Sequence, residues 1–392
     1  MRKVIFLLLA GVLLSTTSCT KHSTPDLIPY RKGDLWGYSN SAGQIVITSQ
    51  YDNVGVFSDG LAPIELNDKW GFIDKSGQQV IPLVYDDVLG FSDGLAPVEL
   101  NDEWGFIDKS GQQVIPLVYN WARSFSDGLA RVVLNDKWGF IDKSGQQVIS
   151  LVYDGVWPFS DGLARVVLND KWGFIDKSGQ QVISLVYDAV LDFSDGLAPV
   201  MLNGKWGFID KSGQQVISLV YDDVWDFSDG LAPVMLNGKY GFIDKSGKQV
   251  IPVVYDAVLD FSDGLARVVL SGKCGFIDKS GKQVIPLVYD DAGWFSDGLA
   301  PVVLNGKSGF IDKSGQQVIS FVYDVAWRFS DGLARVKLND KWGVIDKSGQ
   351  QVILCVYDKI EIFESDLIYT EINGRKQYIG IRKGVVINYF ED

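Results

Sequence analysis

The sequence predicts an all-β fold built as a repeating array, and three observations carry the prediction. Tyr51, Tyr85, Tyr119, Tyr153, Tyr187, Tyr221, Tyr255, Tyr289, Tyr323 and Tyr357 follow one another at a constant step of 34 residues. Within each step, residues such as Ala62, Ile64 and Leu66 alternate with Pro63 and Glu65, the two-residue rhythm of a half-buried strand. Asn67-Asp68, or Asn-Gly at Asn203, Asn237 and Asn305, interrupts the apolar runs with hairpin dipeptides that tolerate positive φ. A strict period without insertions makes every unit meet its neighbours in the same way.

The elements follow in chain order. Met1-Arg2-Lys3, the apolar run from Val4 to Leu14 and the small residues Ser15 to Ser18 predict a cleaved signal peptide over residues 1–18. The run is too short for a membrane span, which takes about 20 apolar residues. The exit resembles the lipobox of bacterial lipoproteins, with Cys19 as the lipidated new N-terminus and Thr16 where Leu is usual. The alternative is an ordinary signal peptide with an incidental cysteine. Residues 19–29 then read as a polar tether, residues 30–357 as the repeat array and residues 358–392 as a degenerate C-terminal cap.

Inside one unit, a two-residue loop at Asn67-Asp68 pairs Leu66 with Lys69, Glu65 with Trp70 and Ile64 with Gly71. Gly71 is expected to make room for the β-branched residue opposite. Lys75-Ser76-Gly77 turns the chain again, and Val80-Ile81 starts a third strand. The stretch from Tyr51 through Phe57-Ser58-Asp59-Gly60 reads as a connection. Each unit is therefore a three-stranded meander plus a loop, too small to bury both faces alone. Trp36, Trp70, Trp104, Trp138, Trp172, Trp206 and Trp342 form a column expected to stack between units as a structural spine. Ten or so three-stranded units fit an open β-solenoid or superhelix, since propeller blades usually carry four strands; a closed propeller-like ring is the alternative. Atypical terminal units suit an open stack, with Arg375, Lys376, Arg382 and Lys383 supplying edge charge.

The phrase Lys-Trp-Gly-Phe-Ile-Asp-Lys-Ser-Gly, with Tyr-Asp and Phe-Ser-Asp-Gly-Leu-Ala at fixed distances, resembles the WG-repeat proteins of bacteria. The resemblance covers about residues 30–357. It implies a β-rich repeat scaffold in envelope or interaction settings and brings no catalytic residues with it.

Composition narrows the function. The formal net charge is −13, and loss of Arg2 and Lys3 with the signal peptide moves it to −15. A chain this acidic lacks the basic footprint of a nucleic-acid binder or of a protein held on an anionic membrane surface. Cys274 and Cys355, the other cysteines, lie in the repeats and do not form a disulfide framework pattern. His22 is the single histidine and falls in the tether, so the array has no base for a Ser-His or Cys-His nucleophile. The aspartates recur in every unit, whereas an active site is built once. No enzyme, no metal and no cofactor are therefore expected: Asp74-Lys75-Ser76-Gly77 offers one carboxylate beside a lysine, which suits a turn better than a calcium loop.

Variation is concentrated between each Tyr-Asp and the next Phe-Ser-Asp-Gly. Trp121, Trp157, Trp225, Trp294 and Trp327 fall there and account for every tryptophan outside the column. They are the candidate ligand-binding residues, as stacking platforms for sugar rings or a groove for a peptide; the competing reading makes them caps on the next unit. Arg131, Arg165, Arg267 and Arg335 stack on aromatics or face a partner. The column runs thin at Tyr240, Cys274 and Ser308, so residues 230–315 are expected to open first, eased by Trp294 filling the gap. The expected function is a non-enzymatic scaffold, lipid-anchored at the outer membrane, presenting a long surface to a protein partner. A carbohydrate-binding module and a structural spacer without specific ligand are the alternatives.

Overall fold

The structure is a computed structural model and describes residues 27–40, 44–364, 367–373, 375–382 and 385–390. The expected signal peptide and the lipidation site Cys19 lie outside the described residues. The chain divides into two compact units, residues 1–186 and 187–392.

Each unit is a succession of small antiparallel sheets. The first sheet has strands β1 (Ile28–Lys32), β2 (Leu35–Ser39) and β3 (Ile45–Tyr51) in sequential order. It begins inside the segment expected as tether, because Leu27 is buried beneath Tyr38 and Ile47 and Ile28 pairs with Ser39. The second sheet, β4 (Asn53–Val54), β5 (Leu61–Leu66), β6 (Lys69–Asp74) and β7 (Gln79–Tyr85), is the pattern that later repeats copy. The expected three-stranded meander is present and gains a fourth strand from the variable segment, where Asn53 pairs with Glu65 and Val54 with Ile64. Its two residues are too few to show alternation, so no periodicity announces it. The strand count expected to set these units apart from propeller blades therefore does not do so.

Local chemistry accounts for the turns. Asn67 and Asp68 take φ of 53° and 59°, and Leu66–Lys69, Glu65–Trp70 and Ile64–Gly71 are paired as the two-residue loop requires. Gly77 closes the next turn at φ 86° while the Asp74 carboxylate accepts hydrogen bonds from the Ser76 amide and hydroxyl and from the Gln78 amide. Those donors hold the Asp74 carboxyl below its ordinary value, the Ser76 hydroxyl contributing most.

Gly71 serves a different purpose from the one expected. Along β6 and β7 the partners run Trp70–Tyr85, Phe72–Ile81 and Ile73–Gln79, so β7 bulges toward Gly71. A Cβ at Gly71 would lie 2.6 Å from the Ile81 carbonyl oxygen and 2.7 Å from that of Pro82. The glycine thus admits the neighbouring backbone rather than the side chain of Ile64.

Within each unit, consecutive sheets pack face to face. Leu61, Phe72 and Ile81 from one sheet meet Ala96, Val98 and Ile107 from the next, with Val88 and Phe91 between them. The core therefore follows the phenylalanines, correcting the expectation of a tryptophan spine. Phe72, Phe106, Phe140 and Phe174 in the first unit are at most 3% exposed, as are Phe208, Phe242, Phe276 and Phe310 in the second. Within each unit they meet the phenylalanine of the next Phe-Ser-Asp-Gly turn, with ring centroids 4.9 Å apart for Phe72–Phe91 and 4.7 Å for Phe310–Phe329. Apart from Trp104, the column tryptophans are only half-buried. They sit beside the hairpin, at the rim of the face whose middle the phenylalanines occupy.

Polar staples join neighbouring sheets. The Ser58 hydroxyl donates to the Phe91 carbonyl, the Gly94 amide donates to Asp59, and Lys109 pairs with Asp59. Lys69 reaches Asp86, whose other oxygen accepts from the Asn101 amide. In the last sheet, strand Arg375–Arg382 is paired on both sides, so Arg375, Lys376 and Arg382 stand on an interior strand and not on the sheet edge expected for them.

Candidate functional site

The short first strand places the variable residues over the column. Across one sheet Trp121 pairs with Val133, Val133 with Trp138, and Trp138 with Tyr153. Trp121 and Trp138 thus share a face, and their ring centroids lie 5.1 Å apart. In the next repeat, two positions further along the segment, Trp157 hydrogen-bonds through its amide to the Arg165 carbonyl and brings its ring to 4.7 Å from Trp172. Trp225 does the same with Tyr240, at 5.4 Å. Each of these loop tryptophans therefore pairs with the column residue of its own sheet, making a two-ring slot.

In the first unit, Trp121, Trp138 and Trp157 border a shallow cleft of about 370 Å³ with Arg123 and Arg131. The Arg123 guanidinium stacks over Trp121 at 4.3 Å, and Arg131 donates to the Val156 carbonyl. Burial and the neighbouring Arg123 charge both lower the pKa of Arg131. Arg165 lies over Trp157 at 5.3 Å.

The second unit holds a larger cleft, about 580 Å³, in the repeat spanning Asp291–Tyr323. Here the column residue is Ser308 and the loop position that carries Trp157 or Trp225 elsewhere is Gly293, so both rings of the slot are missing. The backbone is unchanged: Val303 still pairs with Ser308, and the Gly293 amide still donates to Pro301. Pro301, Val302 and Val303 form the floor, Trp294 one wall, and Trp327 with Arg328 the wall from the next repeat. Trp294 is 43% exposed and Trp327 52%. Trp294 does not fill the gap left by the column, which corrects that expectation; it stands beside the gap, with Arg328 over its ring at 5.5 Å. Arg335 lies over Trp327 at 5.0 Å and is anchored by a hydrogen bond to the Ile360 carbonyl.

Cys274 shows why loss of a column ring does not by itself open a cleft. Its repeat carries Arg267, whose guanidinium reaches the Cys274 sulfur at 3.2 Å and pairs with Asp291 at 2.6 Å. In the Ser308 repeat the residue at the arginine position is Pro301, so no guanidinium reaches across the cleft, although Ser308 itself is 4% exposed.

The five loop tryptophans thus do not act alike: Trp121, Trp157 and Trp225 are ring-paired, while Trp294 and Trp327 border the open cleft. Sequence reasoning missed Ser308 and Gly293 as site residues, although theirs is the one repeat with small residues at both positions. Among the described residues no three His, Cys, Asp or Glu side chains gather as a metal site, and Cys274 and Cys355 are free thiols.

The WG containing repeat family matches this chain ten times in succession, from residues 36–70 to residues 342–375. The chain belongs to that family. No curated protein matches it. Among solved structures it is similar to the extracellular domain of a hybrid two component system from B. thetaiotaomicron, at 11% identity and TM-score 0.28 over 94% of this chain. The chain spans 63% of the length of that domain. It is also similar to a eukaryotic initiation factor, at 12% identity and TM-score 0.39 over 94% of this chain and 97% of the other. A third is Hsv2p of Kluyveromyces lactis, at 8% identity and TM-score 0.33 over 59% of this chain and 95% of the other. Likenesses this distant carry no argument about function.

Proposed function

We propose that this member of the WG containing repeat family is a non-catalytic scaffold, exported and lipid-anchored through Cys19 at the outer membrane, that presents its loop face to a protein partner. One observation carries the reading. The aspartates that recur in each repeat are engaged in turns and staples, whereas the rings bordering the variable segments stay open to solvent. Asp74 is taken up by its own turn and Asp86 by Lys69 and Asn101, so these carboxylates hold the fold together. Trp294 and Trp327, by contrast, present aromatic area, which interfaces favour.

The test is capture from envelope extract by the purified array. Wild type should retain a reproducible protein, and Trp294→Ala with Trp327→Ala should reduce its recovery. Failure of any protein to bind reproducibly sinks the scaffold reading in favour of a spacer. The anchor is checked separately: fatty-acid labelling of the exported protein should vanish in Cys19→Ala.

A second reading, carbohydrate binding, is favoured by the same pair of exposed tryptophans flanking a cleft with charged groups at its mouth. A glycan array that responds to wild type and not to the Trp294→Ala, Trp327→Ala protein supports it.

A further inference from the structure

We propose that the Ser308 cleft is a binding site for one planar aromatic ring, that of an aromatic amino acid either free or displayed on a peptide. The protein itself supplies the argument. In two other repeats the same slot holds the chain's own rings in contact, Trp157 with Trp172 and Trp225 with Tyr240 at centroid distances of 4.7 and 5.4 Å, and Trp121, two positions earlier in its segment, meets Trp138 at 5.1 Å. The slot is thus built, by strand spacing and register, to accept flat rings against the apolar floor of the sheet, Val167 opposite Trp172 and Met235 opposite Tyr240. In the Ser308 repeat the register is the same, yet Gly293 and Ser308 replace both rings.

What remains is a cleft of about 580 Å³, within the range of roughly 300–1,000 Å³ typical of small-ligand sites. Its apolar floor of Pro301 and Val303 matches a ring face, and Trp294 and Trp327 offer aromatic walls at which an incoming ring can stack edge-on or offset. The mouth carries Arg328 and Asp331, opposite charges that suit the polar groups flanking a ring on an amino acid or peptide. Asp331 differs from its equivalents. Asp229, Asp263 and Asp297 pair with lysines 50 residues on, Lys279, Lys313 and Lys347, while the corresponding position for Asp331 is Ile381. The arginine that blankets Cys274 in the preceding repeat has no counterpart here, since Pro301 takes its place.

The biological use of such a site rests on the scaffold reading, but the site is tested independently of it. The purified array is titrated by calorimetry with N-acetyltryptophanamide, which mimics a ring within a peptide, and in a second arm with free tryptophan. Saturable binding of either probe is expected, and the stronger arm identifies the source. Ser308→Trp inserts the residue that seven other repeats carry at this position and should weaken binding at least tenfold while the thermal midpoint is kept or raised. Trp327→Ala, which removes a wall without filling the cleft, should weaken it as well and serves if Ser308→Trp fails to fold. Absence of saturable binding, or binding that neither substitution changes, overturns the proposal. Binding of an oligosaccharide panel in a Ser308→Trp-sensitive manner, with neither aromatic probe bound, overturns the ligand class. If an envelope protein is captured equally by wild type and Ser308→Trp while the probes fail, the ring site falls and the scaffold reading stands. If a probe binds and no protein is captured, the ring site stands and the scaffold reading falls.

Discussion

The repeats containing Trp172 and Ser308 occupy the same slot in opposite ways. In the first, Trp157 and Trp172 stack and close it; in the second, Gly293 and Ser308 leave it open. Yet Val167 faces Trp172 in one as Val303 faces Ser308 in the other, and Phe174 and Phe310 are equally buried. The column tryptophan is therefore dispensable to the backbone, whereas the position two residues later is a buried phenylalanine in every repeat but those that carry Tyr38 and Val344, themselves fully buried. The ring that names the repeat is free to vary because it lies at the rim of the packed face, and variation there changes surface rather than fold.

The comparison can be broken most directly at the phenylalanines. Phe174→Ala and Phe310→Ala should each cost about 3–5 kcal/mol, because each empties a fully buried position. Chemical denaturation checks this, and a much smaller loss at either site would show that the core does not run where the structure puts it. Trp172→Ser should cost less, about 1–3 kcal/mol, since the indole is half-buried and the site can partly collapse. It should also open a cleft near Trp157, seen as a change in near-ultraviolet dichroism. Ser308→Trp should stabilise by about 0.5–2 kcal/mol by filling the existing cleft. Hydrogen exchange, expected in wild type to be faster around residues 299–312 than around the matching residues 163–176, should then slow there.

The smallest contrast is with acid. The Asp176 and Asp312 carboxyls are both held below 3.8, in each case first by a serine hydroxyl, that of Ser178 or Ser314. A carboxyl lowered by folding stabilises the native state above its unfolded value, and that contribution is lost as pH falls through the lower folded value. Stability should therefore decline below 3.8 in both repeats alike. Titration in Asp176→Asn and Asp312→Asn proteins checks it. Unequal responses would mean that the open slot also loosens the turn beneath it.

Much of the repeat was legible in the sequence because its causes are local. Asn67-Asp68 demands a two-residue hairpin, and that loop alone sets Glu65 against Trp70. Gly77 and Asp74 shape the following turn with partners four residues away or fewer. The short strand Asn53–Val54 was not legible, since two residues carry no periodicity and its partner lies beyond a turn. Nor was the burial order of Trp70 and Phe72, which share one face and differ only in distance from its rim. The candidate site was half legible. Variation marked the loop tryptophans, but their division into paired and open rings follows from what stands across the sheet.

By itself the sequence determined the period, the all-β class, the hairpin register and the turn chemistry, because each depends on residues within a few positions of one another. Tertiary structure decided which column forms the core, why Gly71 has no side chain, and where the cleft lies. Those outcomes depend on side chains from separate strands and successive sheets meeting in space: Phe72 on Phe91, and Trp327 facing the floor at Ser308. Packing between faces selects among side chains that a strand pattern treats as equivalent.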